Sequence, residues 1–197
     1  LGLTPTDRWS TMSTVKSMTS TLVGAAIQDG AIRSVDDEVC RYLPLLRGSA
    51  YEGATVRHLL TMSSGVRWNE DYTDRTSDVN RYSKSLGDKV PGGVLAMMRE
   101  LAPDVPPGSR FLYNTGDTYL LGCLLSAATG TTLAAYMSER IWARFGMESD
   151  AFYTLESEDG QEIGGSRAGV TLRDFGRFGL FILADGVVDG ARVLPEG

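Results

Sequence analysis

Histidine occurs once in these 197 residues, at His58, and cysteine twice, at Cys40 and Cys123. A single histidine excludes H-E-x-x-H zinc chemistry, which needs two. Two cysteines far apart in sequence form neither a disulfide framework nor a thiolate metal cage, and they read as small buried hydrophobes. Lysine is also scarce, with Lys16, Lys84 and Lys89 set against sixteen arginines, and the basic residues do not cluster. With 19 Lys+Arg against 25 Asp+Glu and a formal net charge of -6, the chain lacks the concentrated positive charge that supplies nucleic-acid affinity. No apolar run approaches the roughly 20 residues that a membrane span requires.

What is present is a globular composition, 42% hydrophobic, 22% charged and 9% aromatic. The length suits one domain, or a domain with an insertion, able to bury about 70% of its unfolded surface. The ends qualify this. The chain opens on Leu1-Gly2-Leu3 and closes on Leu194-Pro195-Glu196-Gly197, and it reads as a fragment or as a chain trimmed at both ends.

Helical periodicity dominates. Apolar positions Val15, Met18, Leu22, Val23, Ala26 and Ile27 predict a helix from Ser13 to Gln28, closed by Gly30. A short helix is expected over Asp36–Tyr42, with acidic residues in its first turn and Pro44 beyond its end. Another is expected over Val56–Ser64, capped by Thr55 and stopped by Gly65. Val66–Lys89 is polar and without a sustained period, so it reads as a long loop carrying Trp68, Tyr72 and Tyr82, with at most a turn of helix. Beyond it, helices are expected over Gly93–Leu101, Asp117–Ala128 and Leu133–Arg144. A turn at Pro106-Pro107-Gly108 and an extended piece at Phe111–Asn114 precede the second of these. Ala151–Leu155 is a candidate strand, Thr171 caps a strongly amphipathic helix, and Gly186–Val193 reads as a hairpin turning at Asp189-Gly190. No sheet of any size is visible.

The common nucleophile and phosphate signatures are missing. There is no G-x-x-x-x-G-K, and Gly164-Gly165-Ser166-Arg167-Ala168 fails the G-x-S-x-G pattern at its last position. His58, mid-helix among apolar neighbours, suits a satisfied structural histidine better than a catalytic base. Ser13-Thr14-Val15-Lys16 is a better candidate. Residues at i and i+3 share a helical face, with Cβ atoms about 5–6 Å apart, so the amine can reach the hydroxyl. Serine needs a neighbouring base, and lysine serves only if burial or nearby positive potential lowers its pKa. Alone, these four residues fit an N-cap serine and a solvated lysine more readily than a catalytic pair. Tyr113-Asn114-Thr115-Gly116-Asp117 follows the Pro-Pro-Gly turn. A tyrosine on a rigid turn beside a cation can relay a proton; read alone, it fits a buried structural tyrosine ahead of a capped helix somewhat better.

Together the two motifs become specific. Ser13-x-x-Lys16 one hundred residues before Tyr113-Asn114-Thr115 resembles the S-x-x-K and Y-x-N pair of the penicillin-recognising serine hydrolases. These comprise class C β-lactamases, D,D-peptidases, related esterases and 6-aminohexanoate-dimer hydrolases. Asp7-Arg8-Trp9, Ser17–Gly24, Thr55–Gly65, Gly116–Gly122 and Thr171–Gly179 extend the likeness along nearly the whole chain. The 6-aminohexanoate-dimer hydrolase branch looks nearest, because Trp68-Asn69-Glu70-Asp71-Tyr72 resembles a loop whose tyrosine contacts the substrate amide.

The resemblance implies an α/β, β-lactamase/transpeptidase-like fold, of which residues 1–197 form a single partial domain, mostly its helical portion, with flanking strands missing. It implies Ser13, Lys16 and Tyr113 as catalytic residues, and Tyr72, Thr115 and Trp68 as substrate-binding ones. No metal or organic cofactor is implied, and the expected partner is a small-molecule amide or ester. Thr115 stands where β-lactamases have the Asn that holds a substrate amide, which favours linear amides or esters over β-lactams. The family's third motif, a K-T-G, H-x-G or G-x-G strand that supplies one oxyanion-hole N–H, is absent, so these residues alone are expected to be inactive or nearly so. A β-lactamase or D,D-peptidase, or a catalytically dead homologue that binds, are the alternatives.

Overall fold

The computed structural model describes Gly2 and residues 4–196. A tight 3-10 turn, Met12–Thr14, leads into α1 (Val15–Gln28), so Ser13 sits in that turn and the α-helix proper starts two residues later than expected. Val15, Met18, Leu22, Val23 and Ala26 are buried on its inner face, and Gly30 takes φ 77° just past its end. The next helix, α2, is only Val39–Tyr42. Asp36 and Asp37 lie outside it, where Asp36 accepts from Arg57 and Asp37 from Arg33 and Tyr42. Recruitment of both carboxylates by side chains replaces the helical first turn expected there.

Thr55 caps α3 (Val56–Leu60) in a reciprocal box. Thr55 Oγ1 accepts the His58 N–H at 3.3 Å, and His58 Nδ1 accepts the Thr55 N–H at 3.1 Å. The helix stops short of Ser64 because Met62 takes a left-handed φ of 50°. The expected loop over Val66–Lys89 is corrected more substantially: its second half is α4 (Asp78–Gly87), ten residues capped by Ser77. Val79 and Tyr82 are buried and Leu86 packs beside them, an i, i+3, i+7 stripe among polar neighbours.

After α5 (Gly93–Glu100) comes the central helix, α6 (Thr115–Thr129). Every residue from Thr115 to Leu125 is buried, the pattern of a helix surrounded on all sides. It starts two residues before the expected Asp117, because Asn114 is its cap: Asn114 Oδ1 accepts the Asp117 N–H at 3.1 Å. α7 (Leu133–Met137) passes into a π turn at Ser138–Trp142, which shortens the regular helix expected to reach Arg144.

The strands are few. Antiparallel β1 (Arg8–Ser10), β2 (Phe152–Tyr153) and β3 (Ala168–Thr171) form one sheet in the order β1-β3-β2, with Trp9 opposite Val170 and Phe152 opposite Gly169. β1 and β3 are too short to have a readable period. Thr171 ends β3 and caps α8 (Leu172–Leu183), its hydroxyl accepting the Asp174 N–H at 3.2 Å. The hairpin β4 (Val187–Val188) and β5 (Ala191–Arg192) turns on Asp189 and Gly190, both at positive φ, the geometry of a type I′ turn.

Cys40 and Cys123 are free and buried, as expected. Among the described residues no single helix is long and apolar enough to cross a membrane, and no group of three or more His, Cys, Asp or Glu side chains is placed to hold a metal ion.

Candidate active site

Met12, at φ 48°, throws the chain from β1 into the 3-10 turn and sets Ser13 in a cleft of 70 Å³, lined also by Tyr72, Tyr82, Ser83, Thr115 and Arg167. A left-handed conformation at a non-glycine residue is costly, and such residues concentrate at functional sites. One turn on, Lys16 Nζ lies 3.1 Å from Ser13 Oγ. A larger apolar hollow of 640 Å³, lined by Trp9, Val170, Leu172 and Phe175, lies beyond Met12 and includes none of Ser13, Lys16 or Tyr113.

Lys16 is held from three sides. Besides Ser13, its Nζ reaches Thr115 Oγ1 at 3.3 Å and donates to the Gly165 carbonyl. Burial pulls the ammonium below the ordinary lysine value of 10.5, while Tyr113 and Glu70 pull it back up. Desolvation wins, which favours the neutral amine. The Gly165 carbonyl comes so close because residues 164–165 carry no side chains: Thr19 Oγ1 donates to the Gly164 carbonyl at 2.7 Å, pinning the loop onto α1.

Tyr113 arrives from the opposite side. Residues 103–112 are fastened to the turn after α3 by backbone bonds: Asp104 and Val105 N–H to Gly65 O at 2.9 and 3.1 Å, Gly108 N–H to Ser63 O at 2.7 Å, and Leu112 N–H to Met62 O at 2.8 Å. His58 supports that loop from beneath, where Gly108 at φ 82° leaves room for its ring. Its Nδ1 is committed to the Thr55 N–H, an arrangement that suits the structural role expected of it. Tyr113 itself stays partly exposed, its ring centre 5.2 Å from Lys16 Nζ. Ser13, Lys16 and Tyr113 are therefore brought together.

The three expected binding residues fare differently. Tyr72 is exposed at the cleft, its hydroxyl donating to Glu70 Oε1 at 2.7 Å. Desolvation and Glu70 push that phenol up to about 12, so it acts as a neutral hydrogen-bonding group. Trp68 is 6% exposed and lies outside the cleft; its indole N–H donates to Glu70 from within the core. Thr115 borders the cleft but is 2% exposed, and its hydroxyl is committed within the protein: it donates to Glu70 Oε1 at 2.5 Å and faces Lys16. Thr115 is thus bonded between Glu70 and Lys16, and Trp68 lies behind them in the core.

Glu70 is the residue that sequence reasoning missed. Its carboxylate collects the Trp68 indole, the Tyr72 and Thr115 hydroxyls and, at 3.2 Å, the Thr115 backbone N–H. Asx turns at Asp71 and Asp74 and the Asn80 side-chain amide, which donates to the carbonyls of Asp71, Tyr72 and Asp74, knit the loop that carries it. Behind Thr115, Asn114 faces the core, where its amide and the Tyr51 hydroxyl both donate to Asp117 Oδ1 at 3.0 and 2.9 Å.

The chain resembles known proteins along nearly its whole length. The family model described as Beta-lactamase matches residues 2–195. The chain is 32% identical over 201 residues to the 6-aminohexanoate-dimer hydrolase of Paenarthrobacter ureafaciens, covering 100% of this chain and 50% of that protein. A solved structure from Bacillus anthracis, described as a candidate 6-aminohexanoate-dimer hydrolase, superposes with a TM-score of 0.86 at 26% identity, over 99% of this chain and 52% of that one. A class C β-lactamase from Rhodobacter sphaeroides shares the fold at TM-score 0.67 and 19% identity, over 95% of this chain and 54% of that one. The chain spans about half the length of the relatives it matches.

Proposed function

This chain belongs to the beta-lactamase family and has its β-lactamase/transpeptidase-like fold, and from that premise we propose that the protein it forms is a serine hydrolase cleaving linear amides or esters through an acyl-Ser13 intermediate. The observation that carries this reading is the 3.1 Å approach of a desolvated Lys16 amine to Ser13 Oγ beneath the Tyr113 ring. Neutral Lys16 takes the Ser13 proton as Oγ attacks the acyl carbon. Tyr113 passes a proton to the departing amine or alcohol. Water then enters, the same groups act in reverse, and the acid leaves with Ser13 restored. The Ser13 N–H is one donor for the tetrahedral oxyanion.

Linear substrates are favoured over β-lactams because Thr115 offers no side-chain amide and its hydroxyl is already engaged. Tyr72, exposed at the cleft beside Ser13, is the residue that would meet the substrate amide.

The test is covalent labelling of the intact protein by an activated ester or a phosphonate, followed by intact mass. One adduct on Ser13, lost in Ser13→Ala and strongly slowed in Tyr113→Phe, is the expected result. Labelling that survives Ser13→Ala overturns the assignment, and no adduct at all favours a dead homologue. Faster turnover of a chromogenic cephalosporin than of p-nitrophenyl esters would move the substrate class to β-lactams.

A further inference from the structure

An amine can act as a base only if its lone pair faces the proton it is to take. Lys16 Nζ has three neighbours: Ser13 Oγ, Thr115 Oγ1 and the Gly165 carbonyl. The carbonyl can only accept, so it uses one N–H. The outcome depends on Thr115, whose hydroxyl could either donate to the amine, quenching the lone pair, or accept from it. Glu70 decides between them. An ionised carboxylate only accepts, and its Oε1 stands 2.5 Å from Thr115 Oγ1, so the hydroxyl hydrogen is drawn to Glu70. The other carboxylate oxygen takes the Thr115 backbone N–H at 3.2 Å. Glu70 thus grips residue 115 by both donors and fixes its rotamer.

Resting on the serine-hydrolase reading, we propose that Glu70 is a positioning residue that sets the direction of the Thr115 hydroxyl, so that the two N–H groups of neutral Lys16 go to Thr115 and Gly165 and its lone pair is left for the Ser13 proton. Trp68 and Tyr72 hold the carboxylate in place by donating one hydrogen to each of its oxygens. The proton balance closes: Ser13 loses one proton, Lys16 gains it as ammonium, and Thr115 and Glu70 exchange none.

The groups facing Lys16 are Ser13 from its own turn, Tyr113 from the loop before α6, Thr115 from the start of α6, Glu70 from the loop before α4, and the Gly165 carbonyl; Arg167 lines the same cleft as Ser13. Of these, Tyr113 and, more weakly, the Glu70 carboxylate favour the ammonium. In Glu70→Gln the amide can donate to Thr115 Oγ1, freeing the hydroxyl hydrogen to turn toward Lys16.

The experiment is the pH profile of Ser13 labelling by a phosphonate in the intact protein, with circular dichroism and thermal melts as controls on folding. Glu70→Gln is expected to lower the plateau rate by about tenfold or more and to move the acid limb to lower pH, a displacement that a merely structural role would not produce. Thr115→Val, which leaves Glu70 bound to Trp68 and Tyr72, should reproduce the plateau loss, and Thr115→Ser should recover most of it. The double variant should be no worse than Glu70→Gln alone, because the two residues act through one bond. An unchanged acid limb and plateau in Glu70→Gln, full activity in Thr115→Val, or losses that multiply would overturn the proposal while leaving the hydrolase intact. Absence of wild-type labelling would overturn the hydrolase reading itself.

Discussion

The backbone at Gly165 passes Thr115 so closely that a Cβ there would stand 2.8 Å from the Thr115 carbonyl oxygen and 2.9 Å from the Tyr119 nitrogen. Both are helix backbone atoms and cannot swing aside. Gly165→Ala therefore has to push the 164–167 loop off α6, carrying away the carbonyl that holds Lys16. A loss of about 1–3 kcal/mol in denaturant melts is expected, with a fall in Ser13 labelling larger than the loss of folded protein explains. An alanine variant with wild-type stability and labelling rate would contradict the close packing.

Lys16 gives a pH dependence of definite sign. Its folded value is lowered by burial, so the neutral amine is populated at lower pH than in a free lysine, and labelling should rise with pH to a midpoint below 10.5. Between the folded and unfolded values the unfolded chain binds more protons, so this group adds stability as pH rises through that window. Lys16→Arg keeps the charge but cannot deprotonate; labelling should fall by about 10²–10⁴-fold, measured as the second-order rate with the same probe.

Asp117 titrates in the opposite sense. Burial raises its carboxyl to about 7, and one of its oxygens, Oδ2, has no hydrogen-bond partner among the described residues. The folded state binds the extra proton between 3.8 and about 7, so the stability contributed is complete at the acid end and is lost as pH rises through about 7. The span is on the order of 4 kcal/mol. Asp117→Asn should remove this slope, so that the difference in melting temperature between variant and wild type shifts in favour of the variant from pH 5 to pH 8. A difference that does not change with pH would refute the buried neutral acid.

His58 can be tested as structure against chemistry. Thr55→Ala removes the hydroxyl half of the α3 cap and should cost about 1 kcal/mol. His58→Gln should lower the melting temperature, yet reduce Ser13 labelling by far less than the roughly 10²–10⁴-fold expected of a catalytic base. A loss on the catalytic scale would revive a serine–histidine mechanism.

Ser13, Lys16 and Tyr113 became candidates through the family resemblance, because each motif alone fits a structural role, and the structure places the three side chains near one another. Local logic gave the Thr55 and Thr171 caps and the Asp189-Gly190 hairpin, and the family likeness holds along residues 2–195. Glu70 and Gly165 lie 45 and 149 positions from the partners they hold, and no period or turn signal spans such distances. α4 was hidden for another reason: its apolar stripe is three side chains wide, and its other positions are the polar residues of a surface loop. Trp68 was placed in the cleft by analogy of sequence, whereas its burial is a property of the packed core.

Around Asn114, alternate side chains of an extended backbone point opposite ways, Tyr113 and Thr115 to the cleft and Asn114 to the buried Tyr51–Asp117 pair. Anchorage at 114 is thereby separated from the side chains at 113 and 115 that face Lys16. Loss of the Asn114 amide is therefore expected to loosen the start of α6 without removing a group that faces Lys16.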